Sequence, residues 1–386
     1  MKCWMKVIRR ECLRLLHNPM YACCMIVFPL ATLILFTSLM GNGQPTGMPV
    51  GIVDLDNSSV TRSITHQLKS FQTTSIVAHY PSVTEARKAI QRNEIYAFLY
   101  LPEGTTRELL AQRQPHISFY YSMTSLTAGA LLFRDLKTIS TLSGAAAAQT
   151  TLMSKGLTER QTRTFLQPIV IDLHQLENPW TDYNVYLSTM LVPGILLLFI
   201  FLITPYSIGT ELKFNTQHDW LNTAGGSFLR ALTGKILPQT LIFLLIISIY
   251  QTYIYGFLHF PHAGSMTTIL LLSVLAVTAA QGFGIFAIAW IPSLRMSMSI
   301  CSLWGVVSFS IVGTAFPVPA MDAPLQALSW LFPLRHYFMI YETSVFNGFP
   351  LHTAWQHWLC LIAFTVLPLP FISRLKHTIT HYTYME

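Results

Sequence analysis

Long apolar runs alternate with polar stretches along this chain of 386 residues, and six of the runs are long enough to cross a membrane. A helix needs about 20 mostly apolar residues to span roughly 30 Å of hydrocarbon. The interiors of all six runs lack Asp, Glu, Lys and Arg. The predicted spans are residues 20–40, 185–207, 236–258, 267–291, 297–316 and 354–373. The pattern predicts a polytopic α-helical membrane protein with six transmembrane helices.

The long segment between the first two spans, residues 41–184, has a different pattern. Its strand-like runs alternate with helical ones, and alternation of this kind favours an α/β layer structure. A helix start is indicated where Ser82 is followed three residues later by Glu85, and a long helix is predicted from Ser125 to Lys155, closed by Gly156. The strand-like runs are PVGIVDL, SIVAHY, IYAFLYL, HISFYY and PIVIDL. The sequence therefore predicts an inserted α/β domain.

Residues 1–19 show a helical period, with apolar residues on one side and basic residues on the other. We predict an interfacial amphipathic helix lying in the headgroup plane. An ordinary basic flank that orients the first span would explain the charges but not the apolar stripe. The apolar side holds Trp4, Met5, Ile8, Cys12, Leu15 and Leu16, and the basic side holds Lys2, Lys6, Arg9, Arg10 and Arg14.

Composition agrees with the apolar pattern, because 52% of the residues are hydrophobic and only 11% are charged. The net charge of +7 comes mostly from Lys and Arg beside short loops, so it indicates topology rather than a nucleic-acid surface. With both termini in the cytoplasm, residues 208–235 and the tail 374–386 are cytoplasmic. Residues 41–184 then lie outside, with a second outer segment, 317–353, which is too apolar for a free loop and re-enters the membrane or lies on its surface.

Asp54 and Asp56 form the most suggestive catalytic pattern in the chain, since a strand ending in Asp-x-Asp resembles the opening motif of haloacid-dehalogenase-like phosphatases. That chemistry needs a later cluster of carboxylates to hold a metal, and the remaining aspartates of the chain are isolated from one another. The alternative is structural: the strand ends, and Asp56, Asn57 or Ser58 caps the following helix. We expect no catalytic residues, no metal site and no bound cofactor.

A nucleotide loop is also excluded, because a P-loop needs GxxxxGK[ST]. Gly234 and Lys235 match its centre, but Leu229 replaces the first glycine and Ile236 replaces the hydroxyl. Ion-coupled carriers keep ionisable residues within the membrane as relays, and these spans have none. A transporter with this sequence would need energy from a partner.

In its order of segments the chain resembles ABC-2 type permeases, in the branch with a large extracytoplasmic domain after the first span. The matching pieces are the basic head and anchor, PVGIVDLDNSSVTR, Glu211 after the second span, LTGKILPQ entering the third span, and FPVPAMDAPLQALSWLFPLRHY with Gly348 before the last. The resemblance implies a permease subunit of an exporter in the bacterial inner membrane. Its cargo would be drug-like, lipid-like or otherwise amphipathic.

The resemblance also implies partners. They are a separately encoded ATPase that binds ATP and Mg²⁺, a second permease subunit that is identical or paralogous, and a periplasmic membrane-fusion adaptor. Family members contact the ATPase through a coupling helix after the second span, usually with Glu, Gly-Thr and a second acidic residue; here Asn215 replaces the glycine. The implied coupling residues are Glu211, Lys213, Phe214, Thr216, Asp219, Trp220 and Leu221, with Gly234 and Lys235 at the entry of the third span.

Two questions stay open at this point. The outer α/β domain could instead bind the ligand of a membrane-anchored sensor, although the tail RLKHTITHYTYME is too short for an output domain. The second outer segment carries aromatic residues that suit either an amphipathic cargo or an aromatic belt at the headgroup level. These residues are Trp330, Phe332, Tyr337, Phe338 and Tyr341.

The charge bias predicts that residues 41–184 lie outside the cytoplasm and that both termini lie inside. A reporter that is active only in the cytoplasm should be silent when fused near Gln114 and active when fused after Glu386. Activity near Gln114 would reverse the topology.

Overall fold

The computed structural model describes residues 2–41, 43–111, 113, 115–167, 178, 181–314 and 316–381. The chain divides into two compact units, one formed by Met1–Gly41 with Leu176–Glu386 and the other by Asn42–Gln175. The first is a bundle of helices, and the second is an α/β domain inserted into it. The predicted fold class, a polytopic helical membrane protein with an inserted α/β domain, is confirmed.

The bundle begins with α1 and a first span that is interrupted by one π-helical turn. Asn18 separates the two, because its side chain accepts a hydrogen bond from the Met20 backbone N–H and Pro19 follows as the first helical residue. The elements are α1 Lys2–His17, α2 Pro19–Ala22, the π turn Cys23–Val27 and α3 Phe28–Leu39.

The inserted domain is a four-stranded sheet with helices on both faces. The strands lie in the order β2-β1-β3-β4, with β1 parallel to β2 and β3, and β4 antiparallel to β3. One face packs on α4 and α7 and the other on α5. The elements are β1 Met48–Asp54, α4 Ser59–Lys69, β2 Thr74–His79, α5 Val83–Gln91, β3 Ala97–Leu101, α6 Thr105–Leu110, β4 Ser118–Tyr121, α7 Leu126–Ser154 and α8 Glu159–Leu166.

The first four predicted strands are confirmed, while the fifth, PIVIDL at 168–173, lies outside the described residues. The predicted helix starts also hold, since Ser82 accepts from the Glu85 N–H and Ser125 caps α7. Gly156 follows α7 with φ of 88°, the left-handed conformation that favours glycine after a helix.

The two longest helices of the bundle are α9 and α12, and they are also its most buried spans. Gly282 allows α12 to approach the backbone of α16, because a Cβ there would meet the Phe364 carbonyl. The elements are α9 Tyr183–Lys213, α10 Gln217–Thr223, α11 Phe228–Gln251, a π turn Thr252–Phe257, α12 Met266–Trp290, α13 Leu294–Ile311, a 3-10 turn Val318–Ala320, α14 Ala323–Ser329, α15 Pro333–Ile340, a π turn Tyr341–Phe346, a 3-10 turn Leu351–Ala354, α16 Trp355–Val366, a 3-10 turn Leu369–Phe371 and α17 Ile372–His381.

Among the described residues, six helical segments are long and apolar enough to span a membrane. Three of them extend well beyond the predicted bounds. The second span continues to Lys213 rather than ending at 207, the third starts at Phe228 rather than 236, and the last reaches His381. A helix continues as long as its backbone hydrogen bonds do. The length of an apolar run therefore does not reveal polar turns that extend the helix at its ends.

The turn between β1 and α4 accounts for both aspartates of the Asp-x-Asp pattern. Asp54 Oδ1 accepts hydrogen bonds from the backbone N–H groups of Asp56 and Asn57, each at 3.0 Å. Asp56 accepts from the Gly104 N–H at 2.9 Å and from the Thr106 hydroxyl at 2.5 Å. The two carboxylates therefore hold the turn and join it to the start of α6.

The hydrogen bond from the Thr106 hydroxyl is the main reason why the pKa of Asp56 lies below its usual range. A lowered pKa in the folded state stabilises the domain above the ordinary aspartate pKa, and this contribution is lost as the pH falls through the lowered value. The helix cap is Ser58, whose hydroxyl accepts from the Thr61 N–H while Thr61 reaches back to the Ser58 N–H. Of the three candidate caps, the structure selects Ser58.

We expect Ser58→Ala to weaken the start of α4, because loss of a side-chain cap typically costs about 1 kcal/mol. Amide hydrogen exchange in the first turn of α4, measured on the full chain, should then be about fivefold faster. Ser59→Ala is the matched control, since Ser59 is exposed and does not cap the helix. Equal exchange in the two variants would contradict the capping role.

Candidate functional site

Charged side chains from α1, α9 and α11 meet inside the bundle around the carboxylate of Glu211. Arg10 donates to that carboxylate from both terminal guanidinium nitrogens, at 2.8 and 3.0 Å. Arg14 donates to the same carboxylate and, at 3.1 Å, to the Thr210 hydroxyl. The Glu211 side chain has no exposed surface, and those of Arg10 and Arg14 are about three-quarters buried. We call these residues, with Glu11 and Lys235, the charge cluster.

The end of α9 places Glu211 in this position. The Thr216 N–H bonds to the Glu211 carbonyl and the Asn215 N–H to the Leu212 carbonyl, which is the Schellman pattern of a helix end. This pattern needs a left-handed residue, and Asn215 has φ of 54°. Asparagine tolerates that conformation better than most residues, so it can replace the glycine that the ABC-2 motif usually has here. The turn also directs the Thr216 hydroxyl onto the Glu211 carboxylate.

Lys235 bridges the carboxylates of Glu11 and Glu211. Its ammonium lies 2.7 Å from Glu11 Oε2 and 2.9 Å from Glu211 Oε1, and all three side chains are fully buried. The same ammonium sits 5.1 Å from the centre of the Trp220 ring, a cation–π distance. The Trp220 indole in turn donates to the Ala231 carbonyl at 3.2 Å. Lys235 therefore connects α1, α9, α10 and α11.

Close packing of α1 on α11 makes these contacts possible. A Cβ at Gly234 would lie only 2.9 Å from Val7 Cγ1, so a larger residue would push the two helices apart. One turn away, the Trp4 indole donates to the Thr233 hydroxyl at 3.2 Å. Val7 and Glu11, one turn apart on α1, are both fully or almost fully buried against this surface.

Electrostatics explains why the charged side chains of the cluster lie so close together. Removing a charged group from water costs several kcal/mol, which only close opposite charges and hydrogen bonds can repay. Three cations and two carboxylates share this site, so each buried carboxylate has at least one cationic partner. Burial alone would disfavour the charged guanidinium, but the hydrogen bonds to Glu211 keep the pKa of Arg10 above its usual value.

The cluster lies where the resemblance placed the coupling segment, and the family comparison supports that resemblance. Residues 20–373 match the model of the ABC-2 family transporter protein. The chain belongs to this family. A search of curated proteins finds no match. Members of the ABC-2 family are the membrane component of a transporter and are not themselves catalytic.

The structure of this ABC-2 family protein divides the predicted coupling residues into two groups. Glu211, Thr216 and Trp220 point into the protein, with Leu221 partly buried beside them. The exposed group is Lys213, Phe214 and Asp219. Trp220 is fully buried within its own chain, so in this conformation its indole is not available as an anchor for a partner or for a headgroup position.

Gly234 and Lys235 also lie further into the third span than expected, because α11 starts at Phe228 and they are its seventh and eighth residues. The aromatic residues of segment 317–353 are less exposed than either a cargo surface or an aromatic belt would require. Phe332, Tyr337 and Tyr341 are buried in the bundle, whereas Trp330 is 39% exposed. Phe332 packs on Trp304 of α13, and the Tyr341 hydroxyl accepts from that of Tyr255 after α11, so these rings fill the bundle core more than they present a belt or a cargo surface.

Sequence reasoning assigned Arg10 and Arg14 to topology and missed Glu11 altogether. One signal was available: Glu11 is the sole acidic residue in the basic head of residues 1–18. Arg10 and Arg14 are four apart and thus share one face of a helix. A lone carboxylate beside such a pair indicates an internal ion pair more than a solvated surface.

We expect Lys235→Met to destabilise the bundle by about 3–5 kcal/mol, because Glu11 then keeps a buried charge whose cationic partner is gone. Adding Glu11→Gln should recover much of that loss, since the uncompensated charge disappears. Unfolding of the purified chain in detergent measures both effects. Lys213→Met is the control, because its side chain is exposed. Additive losses in the double variant would show that the pair is not coupled.

Proposed function

We propose that the chain is the permease subunit of an ATP-binding-cassette exporter in the bacterial inner membrane, driven by a separately encoded ATPase. Membership of the ABC-2 family supports a transporter membrane component. The observation that carries the ATPase contact is the exposed polar and aromatic surface of Lys213, Phe214 and Asp219, which begins two residues after the buried Glu211. We call these three residues the coupling surface.

Phe214 is the main candidate anchor. It is 63% exposed although it is a large aromatic residue, and it occupies the turn between α9 and α10. The Lys213 ammonium lies 5.7 Å from the centre of its ring, so an apolar and a cationic group are presented together. Large aromatic side chains that enter a pocket of a partner carry much of the energy of an interface.

The helices behind the coupling surface are linked in a way that would transmit a displacement of that surface. α10 packs its Trp220 side inwards and exposes His218, Asp219 and Asn222. Behind it, buried ion pairs of Lys235 and Glu211 tie α9 and α11 to α1, and the cation–π contact between Lys235 and Trp220 ties α10 to the same group. A partner that pushes on Phe214 would therefore act on several helices at once.

The proposed cargo is drug-like, lipid-like or otherwise amphipathic. Neutral polar groups line the interior between the helices: the Gln251 amide donates to the Ser273 hydroxyl, and the Tyr255 hydroxyl donates to that of Tyr341 at 3.1 Å. Such groups can hydrogen-bond an uncharged polar group without the cost of a buried charge. A second permease subunit and a periplasmic adaptor complete the proposed assembly.

We expect Phe214→Ala to weaken association with the ATPase roughly 30-fold, because loss of an anchor typically costs about 2 kcal/mol or more. The full chain is co-expressed with its ATPase, and co-purification and ATP hydrolysis by the complex are measured. Phe257→Ala is the matched control, because Phe257 is an exposed phenylalanine at the far end of the third span from Phe228.

Wild-type chain that retains no ATPase would contradict the proposed function. A Phe214→Ala variant with undiminished association and hydrolysis would leave the function standing but move the coupling surface elsewhere, first to the exposed basic face of α1 around Arg9.

A further inference from the structure

A second feature of α1 is an apolar groove between this helix and the first span. Its volume is about 330 Å³, within the range of about 300–1,000 Å³ that is typical of ligand sites. Cys12, Leu15 and Leu16 form one wall, Tyr21, Met25 and Ile26 form the opposite wall, and Ile242 of α11 contributes to the remainder. The groove lies where the apolar span begins, at the membrane boundary.

The groove is bordered by the π turn Cys23–Val27, which contributes Met25 and Ile26. A π turn inserts an extra residue into a helix and often marks a functional position. Met25 is buried, whereas Ile26 is 42% exposed and Leu16 is 79% exposed. The opening of the groove is therefore apolar, and an apolar chain is the occupant that suits it.

Unpaired basic residues lie next to the groove on the same helix. Arg9 precedes Leu16 by seven residues, so it lies at the border between the basic and apolar sides of α1, directly beside Leu16, and Lys6 is one turn before Arg9. Both basic side chains are exposed. Among the described residues neither makes an ion pair, whereas Arg10 and Arg14 are paired with Glu211.

Two carboxylates that meet α1 are already paired, because Glu11 and Glu211 are fully buried within the charge cluster. The exposed carboxylate of Asp219 on α10 lies close enough to act on Arg10, but among the described residues it makes no ion pair with Lys6 or Arg9. The surface of α1 formed by Lys6 and Arg9 therefore stays positive beside the groove. An apolar groove beside exposed cations at a membrane boundary is complementary to an amphipathic anion.

We propose that this groove binds an acyl chain of an anionic membrane phospholipid and that Arg9, with Lys6, binds its headgroup. The site depends on the membrane location of the chain and not on its proposed partnership with an ATPase. α1 would then contact protein through Val7 and Glu11, and lipid through Cys12 and Leu16.

The test measures lipid binding to the purified full chain by native mass spectrometry. Dioleoyl phosphatidylglycerol and dioleoyl phosphatidylethanolamine are titrated separately, because they share acyl chains and differ in net charge. Wild-type chain should bind the anionic lipid more tightly. The double variant Lys6→Gln/Arg9→Gln should bind it roughly 10- to 30-fold more weakly, at the level of the zwitterionic lipid.

Blocking the groove separates the acyl-chain contact from simple attraction of charge. Ala22→Phe adds a ring inside the groove and should reduce binding of both lipids. If that variant does not fold, Leu16→Trp at the exposed rim serves the same purpose. Ile300→Phe is the control, since it fills a different apolar groove of about 270 Å³, and Arg295→Gln/Lys376→Gln removes two exposed charges on other helices.

Three results would overturn the proposal. They are equal affinity of the wild-type chain for the two lipids, unchanged affinity for phosphatidylglycerol in Lys6→Gln/Arg9→Gln, and an equal loss of binding in Ile300→Phe and in the groove-blocking variants.

Discussion

The carboxylate of Glu211 is buried without access to water, and the arrangement of the surrounding helices depends on how its charge is compensated. A buried carboxylate costs several kcal/mol unless cations and hydrogen bonds surround it. Here the compensation comes from three separate elements: Arg10 and Arg14 from α1, Lys235 from α11 and Thr216 from the turn after α9. Each element must therefore hold its position for the others to remain stable.

The same constraint gives the turn after α9 two different faces. Thr216, Gln217 and Trp220 lie inside, so His218 and Asp219 on the other side of α10 are directed outwards. The exposure of Phe214 and Asp219 follows from the burial of their neighbours and does not depend on the type of these two side chains. A surface held in this way changes little when a partner binds, which lowers the entropic cost of association.

Sequence reasoning succeeded where one period or one motif dominates. The six apolar runs, the alternation of β1 to β4 with helices, and the helix starts at Ser82 and Ser125 are all local features, and the structure contains them. It failed for the charge cluster because Glu11 and Lys235 are 224 residues apart and meet only after folding. It also misjudged Trp220, because an aromatic residue near a membrane edge has the same local sequence whether it faces the core, a headgroup or a partner.

Stability alone does not explain a cluster of this composition. Buried ion pairs are often no more stabilising than apolar residues of the same volume, and their best-attested advantage is that they specify one arrangement. Apolar side chains between α1, α9 and α11 could slide past one another with little loss, whereas the bidentate contact of Arg10 and the position of Lys235 between two carboxylates allow little movement. Under the proposed function, in which an ATPase acts at Phe214, the helices joined by these contacts would move as a unit, so that displacement at Phe214 reaches α1 and α11 instead of being absorbed locally.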